Sequence, residues 1–348
     1  MKLLIVTQKV DINDPILGFF HRWIIEFAKH CEKITVICLQ KGEYDLPKNV
    51  RVFSLGKEKG ESRIKYIFNF YKYIWQERKN YDSVFIHMNP EYAVFGGLFW
   101  RMWRKKVVLW YSHKQVDMKL KIAEKFVHTI FSVSKESFKL KTNKLQVVGH
   151  GIPIELFKNP NGINYKKGNK LKIVSVGRIT PIKNLDTLIE VANILKEKGL
   201  DFRITLVGGT INTSDEKYFE KLKKMIADFH LNDKIIFIGS MPNSEVKKYY
   251  WDNDISVNLC PTGGVDKAVL ESMASGLLVF VSNIAFEEYF GGYKNALIFK
   301  EKNAEDLADK IINLVSRDEL KDIYNFLLSS VKEKSDLKNL ILKIINIL

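Results

Sequence analysis

Cysteine is scarce in this sequence: Cys31, Cys38 and Cys260 are the only three in 348 residues. An odd number without metal-ligand spacing excludes a disulfide framework and fits a reducing cytoplasm. Long apolar runs are also lacking, and none approaches the roughly 18 residues that a membrane-spanning helix needs. The opening "MKLLIVTQKV" has a short apolar run, but no small-residue cleavage site follows it. It reads as a first buried strand and not as a secretion signal. Low-complexity tracts and short-period repeats are absent. Negative charge is short in one half only. The net charge is +15, with 30 Lys+Arg against 15 Asp+Glu in residues 1–168 and 25 of each in residues 169–348. The whole excess lies in the first half, which points to an anionic partner there: a membrane surface, a nucleic acid or an acidic substrate. No recognised nucleic-acid reading motif appears, so nucleic acid is the least favoured.

What is present is ample apolar material, 46% of residues, with 27% charged, in a chain of about twice the usual single-domain length. Short β-rich runs alternate with helical segments throughout. "KLLIV", "ITVICL", "VRVFSL", "SVFIHM", "VVLWYS", "TIFSV" and "LQVVG" read as strands in the first half. "LKIVSVG", "FRITLVGG", "KIIFIG", "ISVNLC", "LLVFVSN" and "ALIFK" do so in the second. Continuous apolar runs suit parallel strands buried on both faces. Strand–helix alternation makes the fold α/β and doubly wound. "KNPNGINYKKGNK", residues 158–170, is an Asn-, Gly- and Lys-rich linker at the charge boundary. Two Rossmann-like domains in series follow, 1–165 and 166–348, facing across a cleft, with the last helix allowed to pack back on the first. Ligands of such sheets bind outside the carboxyl ends of the strands.

The loops at those ends in the second half carry the chemistry. "IVSVGRITPIKNLDTL" gives a strand, Gly177, Arg178 and, five residues on, Lys183 before a helix. Two cations beside a helix start form an anion site. "ITLVGGT" supplies Gly208 and Gly209, and "KIIFIGS" supplies Gly239, where bare backbone admits a ligand. "ISVNLCPTGGVDKAVLESMASG" runs from a strand through a Gly-Gly loop into a helix bearing Lys267 and Glu271.

In this order, "VGRITPIKNLDTLIEVANIL", "LVGG", "IIFIGSMPNSEVKKYYWDNDISVNLCP" and "DKAVLESMASGLLVFVSN" resemble the retaining GT-B-fold glycosyltransferases that use nucleotide-sugars, the glycosyltransferase family 4-like group. "LGFFHRWIIEFAKH", "VSKES" and "VVGHGIPIELF" extend the resemblance more loosely over the first half. The resemblance implies that Arg178 and Lys183 hold the donor diphosphate, that Glu271 accepts the ribose hydroxyls, and that the amides of Gly264, Val265 and Asp266 contact the donor. It implies transfer with retention and no enzyme-bound metal or cofactor, the leaving phosphate taking the acceptor's proton. Gly18 matches a loop glycine bordering the reaction centre, and His113 sits where such transferases often place a His near the sugar. His21 reads as a cap or packing residue. "WDNDI", Asp252–Asp254, reads as a helix-to-strand turn and not as a metal site.

One departure is plain: Gly263 stands eight residues before Glu271, where the family usually has a first glutamate. Asp266 or backbone amides would then read the sugar hydroxyls, or Lys267 would meet an acidic sugar or the phosphate. The departure keeps a non-catalytic nucleotide-sugar-binding subunit open, and the fold keeps a nucleotide-sugar epimerase open. The expected acceptor is a glycan or lipid-linked hydroxyl in surface polysaccharide or glycolipid synthesis. "SRIKYIFNFYKYIWQERKNY", residues 62–81, and "FGGLFWRMWRKKVVLW", residues 95–110, join aromatic to basic residues. These are the types that settle at a lipid headgroup layer, so peripheral attachment to the inner face of the cytoplasmic membrane is expected.

Overall fold

The computed structural model describes residues 1–162, 170–261, 264–315 and 320–348. Gly263 and the expected boundary at 165/166 lie outside the described residues. The chain divides into two compact units, Met1–Gly151 with Leu337–Leu348, and Ile152–Asp336.

In the first unit the strands are β1 (Lys2–Val10), β2 (Lys33–Lys41), β3 (Val50–Ser54), β4 (Ser83–His87), β5 (Lys106–Trp110), β6 (Thr129–Ser132) and β7 (Leu145–Val147). They form one parallel sheet in the order β3-β2-β1-β4-β5-β6-β7. Successive side chains of a strand point to opposite faces, and here both faces are apolar. Leu3 and Ile5 join a core with Phe20, Trp23 and Phe27. Leu4 and Val6 join another with Phe70, Ile74 and Trp100. Each such side chain contributes roughly 1.5–3 kcal/mol by leaving water. The first face is covered by α1 (Phe19–Ala28) and the terminal helix Leu337–Ile345, whose Leu340, Ile341 and Ile344 are buried there. The second face is covered by α2 (Arg63–Gln76), α3 (Glu91–Met102) and α4 (Met118–Phe126). Ser62 caps α2 by accepting the Lys65 N–H at 3.3 Å, and Asp117 caps α4 by accepting that of Leu120 at 2.9 Å.

The second unit opens with a short helix, α5 (Ile154–Phe157), followed by β8 (Leu171–Val176), α6 (Leu185–Glu197), β9 (Phe202–Val207) and α7 (Thr213–Asp228). Then come β10 (Ile235–Gly239), α8 (Asn243–Trp251), β11 (Ile255–Asn258), α9 (Lys267–Ala274) and β12 (Leu278–Val281). The parallel sheet has the order β10-β9-β8-β11-β12. The winding therefore reverses between β8 and β11, and at such a reversal the loops leaving the two strands part and open a crevice at the carboxyl edge. "ALIFK" is not a strand. Ala296 and Leu297 close a one-turn helix, and Ile298 makes a single bridge to Val281, with Phe299 N–H donating to the Val281 carbonyl at 2.9 Å. Asp254 lies at the amino end of β11, where its carboxylate accepts the Lys172 N–H at 2.8 Å and its own N–H donates to the Lys172 carbonyl at 2.9 Å. That bonding ties the starts of β8 and β11, on the edge opposite the crevice.

Candidate functional site

The crevice at the β8–β11 reversal is lined by Gly177, Arg178, Ile179 and Lys183 from one side and by Asn258 and Leu259 from the other. Its floor is set by glycines at successive strand ends. Gly177 N–H donates to Val207 O at 2.9 Å, Gly208 N–H to Gly239 O at 3.0 Å, and Ile179 N–H to Gly209 O at 2.9 Å. Gly208 has φ +142°, and a Cβ there would stand 1.9 Å from the Gly177 carbonyl oxygen. Only glycine fits. A Cβ at Gly209 would stand 2.3 Å from the Ser240 hydroxyl.

Arg178 is exposed at the rim. Lys183 lies deeper and donates to Asp266 Oδ2 at 2.5 Å. Asn258, the last residue of β11, donates to the same oxygen from Nδ2 at 3.1 Å. Burial works against the Lys183 charge, but the Asp266 carboxylate outweighs it and raises the lysine above its ordinary value. The same burial opposes the Asp266 charge, and Lys183 with Asn258 more than offsets it, holding the carboxyl low. Both groups are therefore ionised at neutral pH. Lys183 has three N–H donors and Asp266 engages one, which leaves the ammonium able to take further acceptors.

Asp266 also caps α9, its Oδ1 accepting the Ala268 N–H at 3.2 Å. The capped helix starts at Lys267, with Gly264, Val265 and Asp266 as its approach. Asn283 steadies that approach by donating to the Gly264 carbonyl at 3.3 Å, and Val265 is half-buried against the core. Glu271, one turn inside α9, is 5% exposed. Its carboxylate accepts from Asn243 Nδ2 at 3.1 Å and from the Tyr250 hydroxyl at 3.3 Å, both on α8. Burial pushes Glu271 up to about 7, against the Asn243 bond and the Lys267 charge. Burial likewise brings Lys267 down to about 7, against the pull of Glu271 and Asp266. Burial thus outweighs the mutual attraction of the two charges and brings both groups towards neutrality.

Gly177, Arg178, Lys183, Gly208, Gly209, Asp266, Lys267 and Glu271 thus converge on one edge of one sheet. Asn258, Asn243 and Tyr250 were not singled out in the sequence. The last two lie seven apart on α8, the spacing of one helix face, and that was the available signal. Gly18 and His113 belong to the first unit. Gly18 starts α1 with ordinary helical angles, and its N–H donates to the Asp14 carbonyl at 2.9 Å. A Cβ there would meet that carbonyl at 2.5 Å, so glycine lets the loop after β1 wind tightly on the helix. His113 is exposed just beyond β5, and its Nδ1 accepts the Gln115 N–H at 3.1 Å. His21 is buried, with Nε2 accepting the Asp45 N–H at 3.1 Å.

Residues 159–325 match the family "Glycosyl transferases group 1". The chain is 35% identical over 119 residues to the amylovoran biosynthesis glycosyltransferase AmsK of Erwinia amylovora, covering 32% of this chain and 28% of AmsK. It is 28% identical over 153 residues to a poly(ribitol-phosphate) alpha-N-acetylglucosaminyltransferase of Staphylococcus aureus, covering 43% of this chain and 29% of that one. These alignments span less than a third of either relative's length. The crystal structure of Anabaena HepE in complex with UDP superposes with a TM-score of 0.76 at 16% identity, covering 99% of both chains. The fold is therefore that of the GT-B glycosyltransferases, and residues 159–325, just under half of the chain, carry its match to the glycosyl transferases of group 1.

Proposed function

We propose that this protein is a retaining, metal-independent glycosyltransferase. It moves a hexosyl group from a nucleotide-diphosphate sugar, UDP- or GDP-linked, to a hydroxyl of a glycan or lipid-linked acceptor in surface polysaccharide or glycolipid synthesis. It acts at the inner face of the cytoplasmic membrane. The observation that carries the reading is the pair Arg178 and Lys183 lining a crevice at a strand-order reversal, beside a helix that bears a buried carboxylate. Cations and backbone amides fixed before the substrate arrives stabilise a leaving diphosphate without reorganising as charge develops. Glu271, pointed by Asn243 and Tyr250, accepts the two ribose hydroxyls. Asp266 orients Lys183 and stands beside the donor sugar. The names of AmsK and the ribitol-phosphate transferase, and HepE's structure with bound UDP, support a nucleotide-sugar and a glycan acceptor.

In the proposed step the bond from the anomeric carbon to the phosphate oxygen breaks and a bond to the acceptor oxygen forms on the same face. The acceptor proton passes to the departing phosphate oxygen, and the anomeric configuration is retained. The test is turnover with UDP-, GDP-, ADP- and dTDP-sugars, with the product anomer read by NMR. R178A and K183A are expected to lower kcat by roughly 10²–10³ each while remaining folded. EDTA is expected to leave turnover unchanged. Full turnover in both variants, or an inverted product, contradicts the assignment.

A further inference from the structure

α2 is apolar on two sides. One side, with Phe70 and Ile74, is buried against the sheet. The other carries Ile64, Phe68, Tyr71 and Trp75 at the i, i+4, i+7, i+11 spacing of a single stripe, with Ile64 81%, Phe68 61% and Trp75 53% exposed. A soluble surface helix ordinarily turns a polar face outward, so the exposure of Ile64, Phe68 and half of Trp75 goes beyond what packing on α3 explains. The stripe continues onto α3. Tyr71 packs edge-on to Phe99 at 5.6 Å and Trp75 to Trp103 at 5.8 Å, and these rings line an open apolar groove between the two helices. At the carboxyl end of α3 lies a separate cluster of Arg101, Arg104, Lys105 and Lys106 around His128. Cations also flank the rings themselves, with Lys65 over Phe68 at 5.6 Å and Arg78 over Trp75 at 4.3 Å.

We propose that this α2–α3 face is the surface by which the protein sits on an anionic lipid bilayer, with the aromatic groove taking acyl chain and the basic cluster taking lipid phosphate. The inference rests on the transferase reading only for its purpose, which is to hold the enzyme where a lipid-linked acceptor is presented. Charge selects this occupant. The half of the chain bearing the face holds the whole +15 excess, so a second copy placed here meets like charge, whereas an anionic headgroup layer is attracted. Trp and Tyr settle at the headgroup boundary, and Lys and Arg beside them add electrostatic affinity.

The test is co-sedimentation of the full chain with vesicles of phosphatidylcholine alone and of phosphatidylcholine mixed with phosphatidylglycerol. The expected result is binding to the mixed vesicles only, weakening as salt rises. Arg101→Gln with Arg104→Gln is expected to weaken it roughly 30-fold, each charge contributing about a factor of 5. Phe68→Ser with Trp75→Ser is expected to remove the part that resists salt. These four side chains are exposed, so the fold survives their replacement. No binding to mixed vesicles, or binding indifferent to both pairs, overturns the proposal. So does a concentration-dependent dimer that Phe68→Ser with Trp75→Ser dissolves while vesicles are ignored. Thermal shift with UDP- and GDP-sugars on the same preparations keeps the two readings apart. Donor binding without vesicle binding sinks the surface alone, and vesicle binding without donor binding sinks the transferase alone.

Discussion

Lys183 and Glu271 illustrate opposite outcomes of burial. Lys183 keeps its charge because Asp266 lies 2.5 Å away. At Glu271 burial outweighs the Asn243 and Tyr250 hydrogen bonds and the Lys267 charge, and its carboxyl is pushed up to about 7. A carboxyl raised in the folded state binds its proton more tightly than in the unfolded chain. It therefore favours folding at low pH, and that contribution is lost as pH rises from the ordinary carboxylate range through about 7. Glu271→Gln is expected to gain stability relative to the parent, on the order of 1–3 kcal/mol between pH 5 and pH 7, while losing nucleotide affinity. Denaturant melts at both pH values check the first effect and calorimetric titration with UDP the second. Donor affinity of the parent is expected to rise from pH 6 to pH 8, since in the proposed role only the ionised carboxylate can accept from both ribose hydroxyls, and this acid limb disappears in the variant. Gly208→Ala forces a Cβ against the Gly177 carbonyl at a φ of +142°. We expect a destabilisation of roughly 2–4 kcal/mol in denaturant melts, together with a distorted crevice. An unchanged midpoint contradicts the role assigned to the stacked glycines.

Among the secondary-structure elements, the strands were the most legible. Each of β1 to β12 falls on an apolar run visible in the sequence, and the central strands are the plainest because burial on both faces leaves little freedom of composition. "ALIFK" fits a strand equally well by its apolar run, yet its first two residues close a one-turn helix and Ile298 makes a single bridge to Val281. Arg178, Lys183, Asp266 and Glu271 were legible because each lies a fixed distance from a strand end or helix start. Asn243 and Tyr250 were not, because their bonds to Glu271 depend on how α8 packs against α9, which no local pattern encodes. Their positioning role has its own test. Tyr250→Phe removes one donor to Glu271 and leaves the Ala268 carbonyl without its hydroxyl partner. It is expected to weaken UDP binding by a factor of roughly 5–10, about 1–1.4 kcal/mol, with kcat nearly unchanged. An equal loss in kcat and affinity counts against positioning alone.

For the whole molecule, the charge division read from the sequence separates a neutral half from a strongly basic one. The neutral half holds the crevice in which Lys183 faces Asp266 and Arg178 stands at the rim. The basic half carries the aromatic stripe and the Arg–Lys cluster on α2 and α3. Composition gives the sign of the charge, but the surface proposed to use it needed the helices, since exposure of Ile64, Phe68 and Trp75 follows from which face of α2 the sheet covers. The most direct test of the central claim is thermal denaturation of the full chain with UDP, UDP-glucose and GDP-mannose, beside K183A and E271A. We expect one nucleotide to stabilise the parent saturably, by about 2.7 kcal/mol at a hundredfold excess over Kd, and neither variant. No stabilisation by any nucleotide at millimolar concentration, or equal stabilisation of both variants, contradicts it.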